Sequence, residues 1–149
     1  MRARDLTWPC TPVHLDTSLR EAAELLIRER APVLAVVSED GHPVATVSAA
    51  RVLAAALPDA VRDDPLLAAV VGESLDDDVR ARAASLRLGD VLPTRLPTPA
   101  VVSPDASPVQ MASLMDRTGS TVVLVVDHDG DRPNLLGTID AAILLQHYL

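Results

Sequence analysis

The chain of 149 residues contains no phenylalanine and no lysine, and only one tryptophan, one tyrosine and one cysteine. With aromatics at 1% of residues, there is no platform for stacking nucleic-acid bases. The core must be assembled from Val, Leu, Ile and Ala, which supply most of the 48% apolar content. One cysteine cannot build a disulfide framework or a zinc cluster, and it suits a reducing compartment. Basic charge is scarce: 13 arginines face 21 acids and leave −8 at pH 7, the wrong sign for gripping a phosphate backbone. Apolar runs reach only about six residues, far short of the ~18 needed to span a bilayer. The leading Met1-Arg2-Ala3-Arg4-Asp5 runs toward Trp8-Pro9-Cys10-Thr11-Pro12 and not into an apolar signal core. Together these features predict a cytoplasmic protein that takes neither nucleic acid nor membrane as a partner.

What the chain does have is an internal repeat. Slid by 89 positions, residues 16–41 align on residues 105–130 without a gap, and ten of those 26 positions are identical. They are Asp16, Ser18, Ala23, Leu25, Arg28, Val33, Val36, Val37, Asp40 and Gly41, each with its counterpart. Unrelated sequence matches at roughly one position in 15. Three extra residues near Arg132-Pro133-Asn134 then shift the offset to 92, and Thr46, Ala49, Ala50 and Leu53 fall on Thr138, Ala141, Ala142 and Leu145.

Each copy predicts the same order of elements, β-α-β-β-α. In the first, Val13-His14-Leu15 reads as a short strand. Ser18 with Glu21 three residues on has the spacing of a capping box, and apolar residues at 19, 22, 23, 26 and 27 form a helical stripe. Pro32 ends that helix. Val33-Leu34-Ala35-Val36-Val37 is a strand buried on both faces, Glu39-Asp40-Gly41 a tight turn, and residues 44–47 a second strand. Ser48 caps a helix running to about residue 57. The second copy predicts strands at 101–102, 121–126 and 135–139, helices over 107–117 and 140–146, and a hairpin turn over 127–130. That turn, Asp127-His128-Asp129-Gly130-Asp131, resembles half a calcium loop, but position twelve is Thr138 where a Glu is needed. The chain therefore divides into 1–57, a helical insert 58–88 with helices near 65–71 and 75–86, and 89–149. A 55-residue half is marginal alone, so the two sheets are expected to pack around a shared core. The fold class is α+β.

The duplicated pattern resembles the tandem CBS-domain pair, or Bateman module. The resemblance rests on Asp16-Thr17-Ser18-Leu19-Arg20-Glu21-Ala22, on Asp90-Val91-Leu92 (only weakly echoed by Asp5-Leu6-Thr7), on Pro32-Val33 leading to Gly41, and on Asp127 to Gly130. It implies a regulatory module, not an enzyme, that needs no cofactor. It also implies that AMP, ADP, ATP or S-adenosylmethionine is bound between the repeats, that a homodimer forms through the repeat helices, and that an unidentified protein partner is regulated. In the family a closing Gly-φ-φ-Thr/Ser-x-x-Asp motif holds phosphate by the hydroxyl and ribose by the Asp.

Here the motif is altered twice. The first copy reads Ala45-Thr46-Val47-Ser48-Ala49-Ala50-Arg51 and the second Gly137-Thr138-Ile139-Asp140-Ala141-Ala142-Ile143. Ser48 keeps a hydroxyl, but Arg51 and Ile143 stand at the ribose position, and Asp140 replaces the second hydroxyl. The expected ligand-contact residues are Ser48, Arg51, Thr46, Pro32, Val33, Val13 and Asp140. The first copy is the expected anion site, with Ser48 at a helix N-terminus beside Arg51. A ligand-free dimerisation or scaffold module is the alternative. His14, His42, His128 and His147 lack ligand spacing. Cys10 and Ser48 have no activating base, so no catalytic set is expected.

Overall fold

The computed structural model describes residues 1–149. In chain order its elements are α1 (Ala3–Leu6), α2 (Leu19–Glu29), β1 (Val33–Val37), β2 (Pro43–Ser48) and α3 (Ala49–Ala56). The insert follows with α4 (Asp59–Asp63), α5 (Pro65–Val71), a 3-10 turn (Gly72–Leu75) and α6 (Asp76–Ser85). The second half holds α7 (Leu88–Val91), β3 (Val101–Val102), α8 (Pro108–Thr118), β4 (Val122–Asp129), β5 (Arg132–Asp140) and α9 (Ala141–Tyr148).

The expected elements form where local chemistry supports them. The Glu21 N–H donates to Ser18 Oγ at 3.1 Å to start α2. Ser107 and Gln110 close a reciprocal capping box on α8. Helix α2 ends at Arg30, a left-handed residue at φ 50°, where the second copy has Gly119 at φ 69°. Residues 13–15 do not form the strand their sequence suggests. Only Val13 pairs, parallel to Val36, because the chain turns at His14, whose carbonyl accepts the Thr17 N–H at 3.1 Å. The insert contains an unanticipated short helix, α4, and its last helix begins after a 3-10 turn. Helix α6 lays Val79 and Ala83 against the first core.

Strands β1 and β2 pair antiparallel. Strand β4 pairs parallel with β3 and antiparallel with β5. Each β-hairpin carries a register shift at the same repeat position, between Val36 and Val37 and between Val125 and Val126. The packing corrects the expectation of one shared core. Leu19, Leu26, Leu34, Val36 and Val47 build one cluster, and Met111, Val123, Val125 and Ile139 build another. Between the sheets lies a smaller cluster of Ala35, Leu124 and Val126, with Leu135 packed against it.

The two halves exchange their leading helices. The Ala3 and Arg4 N–H groups donate to the Ala106 and Pro104 carbonyls, at 2.9 and 3.0 Å, and Ala3 is buried in the second core. Leu88 and Gly89 bind the Thr17 and Leu15 carbonyls in the equivalent way, at 2.9 and 2.7 Å, and Leu88 is buried in the first core. Each repeat therefore completes the other's interior.

Candidate functional site

Two clefts open at the two copies of the same junction, where a strand runs into the N-terminus of an eight-residue helix. The first, of about 460 Å³, is shallow and lined by Val33, Thr46, Ser48, Ala50, Arg51 and Ala54. The second, of about 410 Å³, is more enclosed. Its lining includes Thr138, Asp140, Ala142, Ile143 and Gln146, the residues at the same repeat positions as Thr46, Ser48, Ala50, Arg51 and Ala54. It adds walls from the other half: Trp8, Pro9 and Cys10, and the end of α2 from Glu29 to Pro32.

The expected site residues thus divide. Thr46, Ser48, Arg51 and Val33 share the first cleft, while Pro32 and Asp140 share the second. Val13 lines neither; it is 2% exposed and packs into the first core beside Val36, with which it pairs. Both motif hydroxyl positions act as helix caps. Ser48 Oγ accepts the Arg51 N–H at 3.2 Å and Asp140 Oδ1 accepts the Ile143 N–H at 2.8 Å. An Asp at this position is therefore a good cap as well as a fixed negative charge, with Oδ2 left over.

Sequence reasoning missed Trp8, Cys10, Glu29 and Arg30. The signal for them lies in Gly137, whose counterpart is Ala45. A Cβ on Gly137 would stand 2.0 Å from the Trp8 carbonyl oxygen. The glycine lets the Trp8 backbone approach, and Trp8 and Thr138 exchange both N–H···O bonds at 2.9 Å. That two-bond bridge fastens the Trp8–Cys10 wall to β5. No such bridge reaches Thr46, and the first cleft lacks the corresponding wall.

The second cleft is electrostatically negative on its walls. Glu29 is half-buried and held by Thr11, whose N–H donates to Oε2 at 3.3 Å and whose hydroxyl donates to Oε1. Burial and then the Glu29 charge push the Cys10 thiol up from 9.0 to about 11. Arg30 is the cation of this cleft, and it is exposed at the rim. No group of three or more His, Cys, Asp or Glu converges to hold a metal ion, and no helix is long and apolar enough to cross a membrane.

A family model described as CBS domain matches residues 3–58 and 88–149. No curated protein matches the sequence. Among solved structures, a CBS domain-containing protein of unknown function from Kribbella flavida is 32% identical, with a TM-score of 0.83 and 100% of each chain covered. CBSX2 in complex with AMP is 23% identical, with a TM-score of 0.63 and 99% and 95% covered. The CBS domain pair of protein MJ0100, in complex with 5′-methylthioadenosine and S-adenosyl-L-methionine, is 17% identical, with a TM-score of 0.64 and the same coverage.

Proposed function

The chain belongs to the CBS-domain family, and on that premise we propose that it is a regulatory module that binds an adenosine-containing ligand between its repeats and passes occupancy to a protein partner in the cytoplasm. Its working units are residues 1–57 and 89–149, joined by the helical insert 58–88. The observation that carries this reading is the composition of the second cleft, where Trp8 to Cys10 and Glu29 to Pro32 face Thr138 to Gln146. A ligand there touches both repeats, so its binding favours one relative arrangement of them, which is the requirement for coupling to a partner. Trp8, Pro9, Pro32 and Ile143 offer apolar surface to a flat ring, and CBSX2 and MJ0100 supply the precedent for adenosyl ligands. The first cleft, with Ser48, Arg51 and Thr46, is the shallower place for an anion.

Trp8 is the sole tryptophan and lines the second cleft, so its fluorescence reports occupancy directly. Adding AMP, ADP, ATP, S-adenosylmethionine or methylthioadenosine at millimolar concentration should change that emission for at least one of them. The same ligand should raise Tm by several degrees, since saturation at about 100 Kd adds ~2.7 kcal/mol. Silence from all five at both readouts would overturn the sensing function.

The homodimer, the core of the ligand-free alternative, is supported by one observation. Leu53 on α3 and Leu145 on α9 occupy the same repeat position and are 64% and 63% exposed. Beside Leu53, an apolar groove runs between α2, α3 and α6, lined by Leu26, Ile27, Val52 and Val79 among others. Such faces mark interfaces, and a homodimer through these helices is compatible with either reading. Light scattering should give twice the chain mass for the parent protein and the single mass for the Leu53→Asp/Leu145→Asp double variant. An unchanged mass in that variant would place the interface elsewhere.

A further inference from the structure

The two clefts occupy equivalent positions but carry opposite charge. The first presents Arg51 and no acid. The second presents Glu29 and Asp140 from its walls, against a single Arg30 at the rim. Both wall carboxylates are half-buried and both are fixed, Glu29 by Thr11 and Asp140 by the Ile143 N–H. A charge held in a partly buried wall is screened less by solvent than one at the rim, so the walls and not Arg30 set the sign of the field inside. The two carboxylates are the acceptor-only groups of the lining; the Thr138 hydroxyl and Gln146 amide can donate or accept, and Arg30 and the Trp8 indole N–H are donors. The apolar remainder, with the exposed indole of Trp8, suits a flat ring and attracts a nearby cation through its π face.

From this we infer that the second cleft selects a ligand in which a flat heterocycle carries a positively charged group, and rejects the same heterocycle carrying a phosphate. Glu29 and Asp140 are the residues that determine this specificity. The inference rests on the proposed ligand-binding role of the same cleft, and it fixes the charge class of the ligand. A phosphate ester brought against two carboxylates would meet like charge in a desolvated space, a cost that discriminates strongly. A sulfonium or ammonium group in that place gains two charge partners.

Titration of the intact protein by Trp8 fluorescence tests it, with three probes sharing one ring system: S-adenosylmethionine (cationic), methylthioadenosine (neutral) and AMP (anionic). Affinity should fall in that order, with AMP at least about tenfold weaker than S-adenosylmethionine. Asp140→Asn keeps a good helix cap while removing the charge. That variant should weaken S-adenosylmethionine by about tenfold, strengthen AMP, and leave methylthioadenosine within about twofold. Glu29→Gln should act in the same direction. Rising salt should weaken S-adenosylmethionine and not methylthioadenosine. If AMP binds as tightly as S-adenosylmethionine, or if Asp140→Asn weakens all three probes equally, the charge selectivity is overturned while the sensing function stands. If none of the three perturbs the fluorescence of either protein, the charge selectivity is overturned, and the sensing function falls with it when ADP, ATP and the Tm readout are silent as well.

Discussion

Gly137→Ala should lower the stability of the protein by about 2–4 kcal/mol, a large effect for adding one methyl group. The added Cβ would sit 2.0 Å from the Trp8 carbonyl oxygen, 2.6 Å from Thr7 Cγ2 and 2.7 Å from the Trp8 carbonyl carbon. Two of those three atoms are backbone, so no side-chain rotation relieves the clash. The Trp8 segment has to lift away, and both Trp8–Thr138 hydrogen bonds go with it, at about 0.5–1.5 kcal/mol each. For a chain of this length Tm should fall by roughly 5–15 °C. The reverse change at the equivalent position, Ala45→Gly, removes one buried methyl from the first core and should cost about 1–2 kcal/mol. Thermal unfolding of the two variants side by side checks the asymmetry. A Gly137→Ala protein that melts within two degrees or so of the parent would mean that the Trp8–β5 bridge contributes little.

That asymmetry also marks the boundary of what the sequence could reveal. The repeated elements are legible because their signals are local. Ser18 and Ser107 cap helices, the Val33-to-Val37 and Val122-to-Val126 runs are strands, and Gly41 and Gly130 turn hairpins. The exchange of α1 and α7 between halves is not legible, because Ala3 and Leu88 look like ordinary apolar residues and their partners lie about a hundred or seventy positions away in the chain. For the same reason the second cleft was hidden. Its motif residues were identifiable by repeat position, but Trp8, Cys10 and Glu29 reach it only through tertiary packing. The motif itself suggested the first copy, since Ser48 and Arg51 have the chemistry of an anion site. The second cleft is the more enclosed of the two, and its enclosure comes from the wall that the Gly137–Trp8 approach admits. Val13 shows the same limit: its place in the repeat matches the family pattern, while its side chain packs into the first core and lines neither cleft.

The same wall makes Cys10 a poor nucleophile, and alkylation should report it. At pH 8 a thiol raised from 9.0 to about 11 holds about a hundredfold less thiolate than the same cysteine in the unfolded chain. Greater basicity makes the remaining thiolate more reactive and returns about eightfold of that loss. Reaction with iodoacetamide should therefore be at least about tenfold slower in the native protein than in denaturant. Burial is the larger cause of the shift and the Glu29 charge the smaller, so Glu29→Gln should accelerate alkylation a few-fold without reaching the unfolded rate. Gly137→Ala lifts the segment that buries the thiol and should accelerate it more than Glu29→Gln does. Stability carries the same signature. The native state holds Cys10 protonated, so the unfolded chain loses its proton first as pH rises past about 9, and the contribution declines until about pH 11. Cys10→Ser should remove that part of the alkaline decline in denaturant midpoint between pH 9 and 11. Equal alkylation rates in native and unfolded protein, with no change in Glu29→Gln, would mean that Cys10 is open to solvent and that the second cleft has no such wall.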